Sequence, residues 1–258
     1  MAIFKYEQDP IFPDIRQRLI HVEGKIDALL NRIPVDESFR GSPHQRYGHL
    51  TYSQHGEDLV FVALLERFGV EHPTYLDIGA NHPTDCSNTA LLYRRGARGV
   101  NVDASPEVIK IFEEQRPDDV NVNVGVASKS GEMTFFRCGA TSGRNSFSLE
   151  VMEQFLATHP GEVITDEIVV PVVTLDDIIE THCEGRCPDL LSIDAEGLDY
   201  EILSAASFAS RPKILCVETF SAAGETEDIL DKLLVSRGFR KCIHMFANAV
   251  YIDRDAKL

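Results

Sequence analysis

Apolar residues along this chain follow two rhythms, and the change between them divides it. Over residues 13–33, Ile15, Leu19, Val22, Ile26, Leu29 and Ile33 recur at alternating steps of four and three, the heptad stripe of one amphipathic helix. Pro13 suits its first turn, and Pro34 stops it just past its end. Such a stripe either packs on its own domain or joins subunits as a short coiled coil; the second use predicts a homo-oligomer built through this helix. Phe39 to His49 is polar with Gly and Pro and reads as a linker. The division is therefore an N-terminal helical extension and linker over 1–49 and one domain over 50–258.

Beyond the linker the rhythm becomes short apolar runs alternating with helical segments. Ser53 to Phe68 is helical, with Ser53 as cap and Glu57 and Asp58 in the first turns, where the helix dipole favours acids. Residues 74–78, 99–103, 120–126, 190–194 and 214–218 read as strands. Helices are predicted from the turn after Ile78 through Tyr93, from Ser105 to Gln115, over 199–208 and over 225–237. Phe239 to Met245 and Ala249 to Asp253, joined by Phe246-Ala247-Asn248, form a closing antiparallel pair. Residues 130–175 break the alternation and read as an insertion. Strands alternating with helices mean an α/β fold, a parallel sheet covered on both faces.

Composition narrows the partners. The 258 residues are 43% hydrophobic and 26% charged, ordinary for a packed domain. A formal net charge of −16, with no Lys/Arg stripe, excludes nucleic acid as a partner. No apolar run reaches the ~18 residues of a membrane span, and the first residues lack the charged-then-apolar design of a signal peptide. The six cysteines are scattered; Cys183 and Cys187 have no second pair to complete a zinc site. Reduced thiols and a cytoplasmic location follow as expectations.

In an open parallel sheet, ligands bind beyond the carboxyl ends of the strands, near the point where strand order reverses. Four of the five strands end here in a carboxylate: Asp77 in Asp77-Ile78-Gly79-Ala80-Asn81, Asp103 before Ala104, Asp194 in Asp194-Ala195-Glu196-Gly197, and Glu218. A dinucleotide site needs Gly-x-Gly-x-x-Gly so that pyrophosphate can approach the backbone. Only Gly79 is present, and Asp77 stands where the anion would lie, which argues against an NAD-type oxidoreductase. A carboxylate there welcomes a cation such as an ammonium or a sulfonium, and S-adenosylmethionine carries both. Asp103, at the end of the next strand, can accept from both ribose hydroxyls.

Ser53-Gln54-His55-Gly56-Glu57-Asp58, YLDIGANHPTDCSNT (75–89), GVNVDASP (99–106), RPDD (116–119), NVGVAS (123–128), TLDDII (174–179), LLSIDAEGLDYEIL (190–203) and ILCVET (214–219) together resemble the FkbM family of methyltransferases, in order and spacing, across about residues 50–255. The resemblance implies a Rossmann-like seven-stranded methyltransferase sheet, mostly parallel with a terminal antiparallel strand. It also implies S-adenosylmethionine-dependent methylation of a hydroxyl oxygen on a sugar, glycan or secondary metabolite. Asp77, Gly79, Ala80 and Asn81 would then line the methionine end of the cofactor, and Asp103 with Ala104 the ribose. Val124, Gly125 and Val126 would flank adenine, and Gln54, in the family's Ser-Gln motif, would reach the cofactor's carboxylate.

A sugar hydroxyl is weakly acidic, so a general base or a metal would lower the barrier that alignment leaves. Asp194, Glu196 and Glu218 converge at adjacent strand ends. One of them as base is the first reading, Asp194 foremost because its strand lies beside the DIGAN loop. The second is a metal held by Asp194 and Glu218, oxygen ligands that suit Mg²⁺. His82, next to the cofactor loop, and His244, on the terminal hairpin, are further base candidates. Ser142 to Ser148 would close over the acceptor, with Arg144 or Asn145 contacting it. N-methylation on the same fold and a non-catalytic cofactor-binding protein are the rival readings.

Overall fold

The computed structural model describes residues 51–219 and 226–256. The helix predicted over 13–33, the linker after it and the subunit contact assigned to that helix lie outside the described residues.

In chain order the elements are α1 (Glu57–Arg67), β1 (Thr74–Ile78), α2 (Ala90–Arg94), β2 (Arg98–Asp103), α3 (Pro106–Gln115), β3 (Val120–Asn123), β4 (Gly125–Val126), β5 (Gly131–Arg137) and α4 (Leu149–Thr158). There follow β6 (Asp166–Val173), α5 (Leu175–His182), β7 (Leu190–Ile193), α6 (Asp199–Ala205), β8 (Ile214–Glu218), α7 (Thr226–Ser236), β9 (Phe239–Met245) and β10 (Asn248–Asp253). Among the described residues the main sheet has seven strands in the order β3-β2-β1-β7-β8-β10-β9. Its first five strands run parallel, and β10 is antiparallel to both neighbours. This is the Rossmann-like methyltransferase sheet that the sequence predicts. The chain steps outward from β1 to β3, then returns to β7 on the other side of β1. Strand order therefore reverses between β1 and β7, where an open sheet leaves a crevice.

Strand periodicity decides which helix covers which face. Leu76, Ile78, Leu191, Ile193, Leu215 and Val217 point to one side and pack with Leu175, Ile202, Leu203 and Leu230 of α5, α6 and α7. Their neighbours Tyr75, Leu190, Ile214 and Cys216 point to the other side and pack with Phe61, Leu65, Leu91 and Leu92 of α1 and α2. Both faces are buried, so these strands read as continuous apolar runs rather than alternating ones. Each large side chain so buried contributes roughly 1.5–3 kcal/mol.

Three boundaries differ from the sequence reading. Helix α1 starts at Glu57, not Ser53, because the Asp58 carboxylate gathers the Thr51 hydroxyl at 2.6 Å, the Tyr52 amide at 2.7 Å and the Ser53 hydroxyl at 3.0 Å. Those bonds fold 51–56 into a loop closed on the first helical turn. The helix expected after β1 is confined to Ala90–Arg94, since the segment before it is a loop wrapped on Arg116.

The third strand is the largest difference. Residues 120–126 split: β3 stays beside β2, whereas β4 pairs with β6 in a second sheet of order β4-β6-β5. The Asp103 and Ala104 carbonyls accept from Asn123 Nδ2, and the Asp103 carbonyl also accepts the Val124 amide at 3.1 Å, which bends the chain out of the main sheet. The interruption at 130–175 contains β5, α4 and β6. Thr174 and Asp177 of the TLDDII motif form a reciprocal capping box that starts α5. Among the described residues no helix is long and apolar enough to cross a membrane.

Candidate active site

The carboxyl ends of β1, β2, β7 and β8 open on one cleft of about 480 Å³, within the usual range for small-ligand sites. Its floor depends on a single glycine. At Gly79, φ is +73°, and a Cβ there would stand 1.8 Å from the Asp194 carbonyl oxygen. Any side chain would force β1 and β7 apart at the point where strand order reverses. The Gly79 and Ala80 amides both donate to the Val102 carbonyl, at 2.9 and 3.1 Å, which holds the loop over β2.

Around that loop the acids are tied in. Asp77 is buried and accepts from the Thr89 hydroxyl at 2.7 Å. Asp103 accepts the Asn81 amide at 2.9 Å on one oxygen and the Ser105 amide at 2.8 Å on the other. Burial pushes both carboxyls up to about 6. Behind them Arg116, 2% exposed, donates to Thr89, to Ser87 at 2.9 Å and to the Pro83 carbonyl. It pins the segment from Pro83 to Thr89 and sets a buried positive charge behind Asp77. Gln54, Asp77, Gly79, Ala80, Asn81, Asp103 and Ala104 all line this end of the cleft. Gly125 and Val126 line its wall, with Phe135 and Phe147, whose ring centroids lie 4.7 Å apart.

The other end brings Asp194, Glu196 and Glu218 together, as the strand ends predict. The Ala195 and Gly197 amides donate to Asp199, at 3.0 and 3.4 Å, and this shapes the turn that carries Glu196. All four acids are pushed upward, first by burial and then, for three of them, by the neighbouring Asp194 charge: Asp199 to about 7, Glu196 to about 8 and Glu218 to about 10. Hydrogen bonds from the Glu196 amide and from Glu218 favour the ionised form of Asp194. Glu218 therefore carries a proton near neutral pH. Among the described residues Asp194 Oδ1 is a buried oxygen with no hydrogen-bond partner. Arg144 faces Glu196 at 3.6 Å, with half of its own side chain in solvent.

Residues 138–148 strap the two ends together. Ser105 donates to the Ala140 carbonyl, Ser146 donates to the Glu196 carbonyl at 2.7 Å, and Gly143 sits against Asn81. Arg144 lines the cleft as expected. Asn145 lines it too, but its amide is spent inside the strap, accepting from the Cys138 amide at 2.9 Å and donating to the Gly139 carbonyl at 2.7 Å.

His82 is not brought to the cleft. Its Nδ1 accepts the Asp85 amide at 2.9 Å and the Thr84 amide at 3.2 Å, which makes it a brace of its own loop; burial lowers its pKa. His244 lies 3.0 Å from the Thr219 hydroxyl, beside Glu218. The metal expectation finds no support either, since among the described residues no three acids, histidines or cysteines are grouped to hold an ion. Asp199, Arg116 and Phe246 were missed in the sequence. The Asp199 and Arg116 positions were visible inside LLSIDAEGLDYEIL and RPDD without a role; nothing local marks Phe246.

A family model described as the methyltransferase FkbM domain matches residues 77–241. No curated protein matches the chain. Similar solved structures include a Burkholderia thailandensis 1,6-didemethyltoxoflavin-N1-methyltransferase bound to 1,6-didemethyltoxoflavin and S-adenosylhomocysteine, at 14% identity and TM-score 0.40 over 90% of each chain. A precorrin-6y C5,15-methyltransferase from Geobacter metallireducens GS-15 gives 13% and 0.35, over 79% of this chain and 90% of that one. An O-methyltransferase from Bacillus cereus in complex with S-adenosylhomocysteine gives 14% and 0.38, over 88% and 97%.

Proposed function

The chain belongs to the FkbM methyltransferase family, and from that premise we propose that it is an S-adenosylmethionine-dependent O-methyltransferase acting on a hydroxyl of a sugar, glycan or secondary metabolite. The observation that carries the oxygen assignment is the Asp194 carboxyl, which lines the cleft at the carboxyl end of β7 beside Glu196 and Glu218. A hydroxyl placed against it meets a base.

The residues fit the cofactor. Its cationic sulfonium suits an end of the cleft rich in acids, and the absence of a glycine fingerprint suits a ligand without pyrophosphate. Asp77, Gly79, Ala80 and Asn81 would hold the methionine end, Gln54 the carboxylate, Asp103 and Ala104 the ribose, and Gly125 and Val126 the adenine. When bound, S-adenosylmethionine supplies an electrophilic methyl group. The protein's own share is alignment and one proton. Asp194 takes the proton of the acceptor hydroxyl, and protonated Glu218 moderates the charge on Asp194. Asp199 fixes the turn that presents Glu196, and Arg144 faces that carboxyl.

The test is methyl transfer from isotopically labelled S-adenosylmethionine to panels of alcohols and amines, with the product's methyl position read by NMR. Methyl on oxygen is expected. Transfer to nitrogen alone, or tight S-adenosylhomocysteine binding with no turnover on either panel, would overturn the reading.

A further inference from the structure

Phe246 lines the cleft, yet its side chain is 77% exposed. It begins the two-residue link between β9 and β10, and its φ is +50°. Hairpin turns ordinarily place glycine where φ is positive, and a bulky side chain there is an outlier. Such a conformation persists where the surroundings impose it. Here they do. The Ala247 carbonyl accepts the Thr219 amide at 2.7 Å and the Thr219 hydroxyl at 3.1 Å, which ties the link to the residue after Glu218. Asn248 donates its side-chain amide to Glu57 at 2.8 Å, and the other Glu57 oxygen accepts the His55 amide at 2.8 Å. Glu57 is fully buried, so it clamps the segment bearing His55 to the link bearing Phe246. The two rings meet at 4.9 Å between centroids, tilted by 56°. A large apolar ring is thus held rigidly in solvent at the rim of an acidic cleft.

We propose that Phe246, braced by His55, is a stacking platform that selects a ring-shaped, uncharged polyol as acceptor, a pyranoside being the simplest case. The proposal rests on the oxygen-methylation reading above. Two demands of the site converge on that chemistry. The face of an aromatic ring carries negative potential and attracts the C–H face of a saturated ring. The Asp194 carboxyl, which lines the same cleft, suits an O–H donor of that ligand. A pyranoside offers both at once, with a fixed face of C–H bonds and hydroxyls around its edge. An acyclic polyol has the hydroxyls without the face. An anionic acceptor would meet the carboxyls of Asp194, Glu196 and Glu218, with Arg144 as the facing cation.

The experiment uses the full chain with saturating S-adenosylmethionine and compares initial rates on methyl pyranosides (gluco, manno and galacto) with those on glucitol and mannitol. The wild type is expected to favour the pyranosides by about two- to tenfold in kcat/KM, the scale of one aromatic stack. Phe246→Ala should remove that preference, mainly by raising KM, and Phe246→Trp should restore it. S-adenosylhomocysteine affinity by calorimetry should be unchanged in both. Phe246→Gly separates folding from recognition: freed of the positive φ, it should melt no lower than wild type and still lose the preference. Wild-type KM in Phe246→Ala, or equal rates on cyclic and acyclic polyols, would overturn the platform while leaving oxygen methylation intact. Failure to methylate any polyol, with amines methylated instead, would overturn both readings.

Discussion

At the β1–β2 end of the cleft, the acids are satisfied as hydrogen-bond acceptors within the protein; at the β7–β8 end, one of them keeps an oxygen without a partner. Asp77 takes the Thr89 hydroxyl and Asp103 takes two backbone amides, and Arg116 secures the loop behind them. Asp194, by contrast, keeps an unpaired oxygen, Glu196 meets a half-exposed guanidinium at 3.6 Å, and Phe246 stands in solvent. The first end is complete without a ligand and is suited to receiving the same molecule every time. The second is incomplete, and its unmet hydrogen bond, crowded acids and bare ring describe what must enter. Preorganisation and specificity are thus built at opposite ends of one sheet edge.

The sharpest way to break this division is to neutralise the acid at the seam. Asp194→Asn keeps the shape and removes the base, so kcat should fall by about 10²–10⁴-fold, the range of general-base contributions. S-adenosylhomocysteine, which carries no sulfonium charge, should bind within about threefold of wild type, well under the 1.4 kcal/mol of a tenfold change. Steady-state kinetics paired with calorimetry separates the two. A variant that keeps its kcat but loses cofactor affinity would place Asp194 at the wrong end.

The complementary change is Asp103→Ala. It removes the proposed ribose acceptor and also frees the Asn81 and Ser105 amides. S-adenosylhomocysteine affinity should drop by more than tenfold, at least about 1.4 kcal/mol, while acceptor KM at saturating cofactor stays near wild type. Unchanged affinity in calorimetry would withdraw the ribose assignment.

The two ends also differ in how far the sequence discloses them. Strand ends in a parallel sheet are where ligands collect, so Asp77, Asp103, Asp194 and Glu218 could be named from their places after apolar runs. The sheet itself was legible for the same reason: short apolar strands alternate with helices along the chain. What failed depends on partners far along the chain. Nothing in VNVNVGV says that its last residues pair with a strand beginning at Asp166, and only that pairing, Gly125 with Val172, splits it. Arg116 opens the RPDD motif, but its role is not legible until Pro83, Ser87 and Thr89 fold onto it. Phe246 occupies a turn where positive φ is a consequence of anchors at Thr219 and Glu57, some 27 and 189 residues away. His82 shows the converse error. Proximity in sequence to the cofactor loop suggested a base, but its ring nitrogen is committed to two amides of its own turn.

The smallest effect, and the finest test of the comparison, is in the pH dependence of stability. A carboxyl whose pKa is raised by folding holds a proton that the unfolded chain has already released. Its contribution is therefore complete below the ordinary carboxylate range near 4 and is lost as pH rises through the folded value. That loss runs from about 4 and is complete by about 6 for Asp77 and Asp103, at the proposed cofactor end; Asp199, Glu196 and Glu218, at the proposed acceptor end, carry it on to between about 7 and 10. The ligand-free protein should melt progressively lower from pH 5 to pH 9, by about 2–4 °C for each kcal/mol lost in a domain of this size. Asp103→Asn should flatten the early part of the curve, and Glu218→Gln the late part. S-adenosylmethionine should flatten it more than S-adenosylhomocysteine does, because a sulfonium charge beside the acids draws their folded values back down. Differential scanning fluorimetry in overlapping buffers reads all of these. A melting temperature that climbs with pH over this window, or identical curves with the charged and uncharged ligands, would mean that the acids are not held at the edge where the cofactor's charge lies.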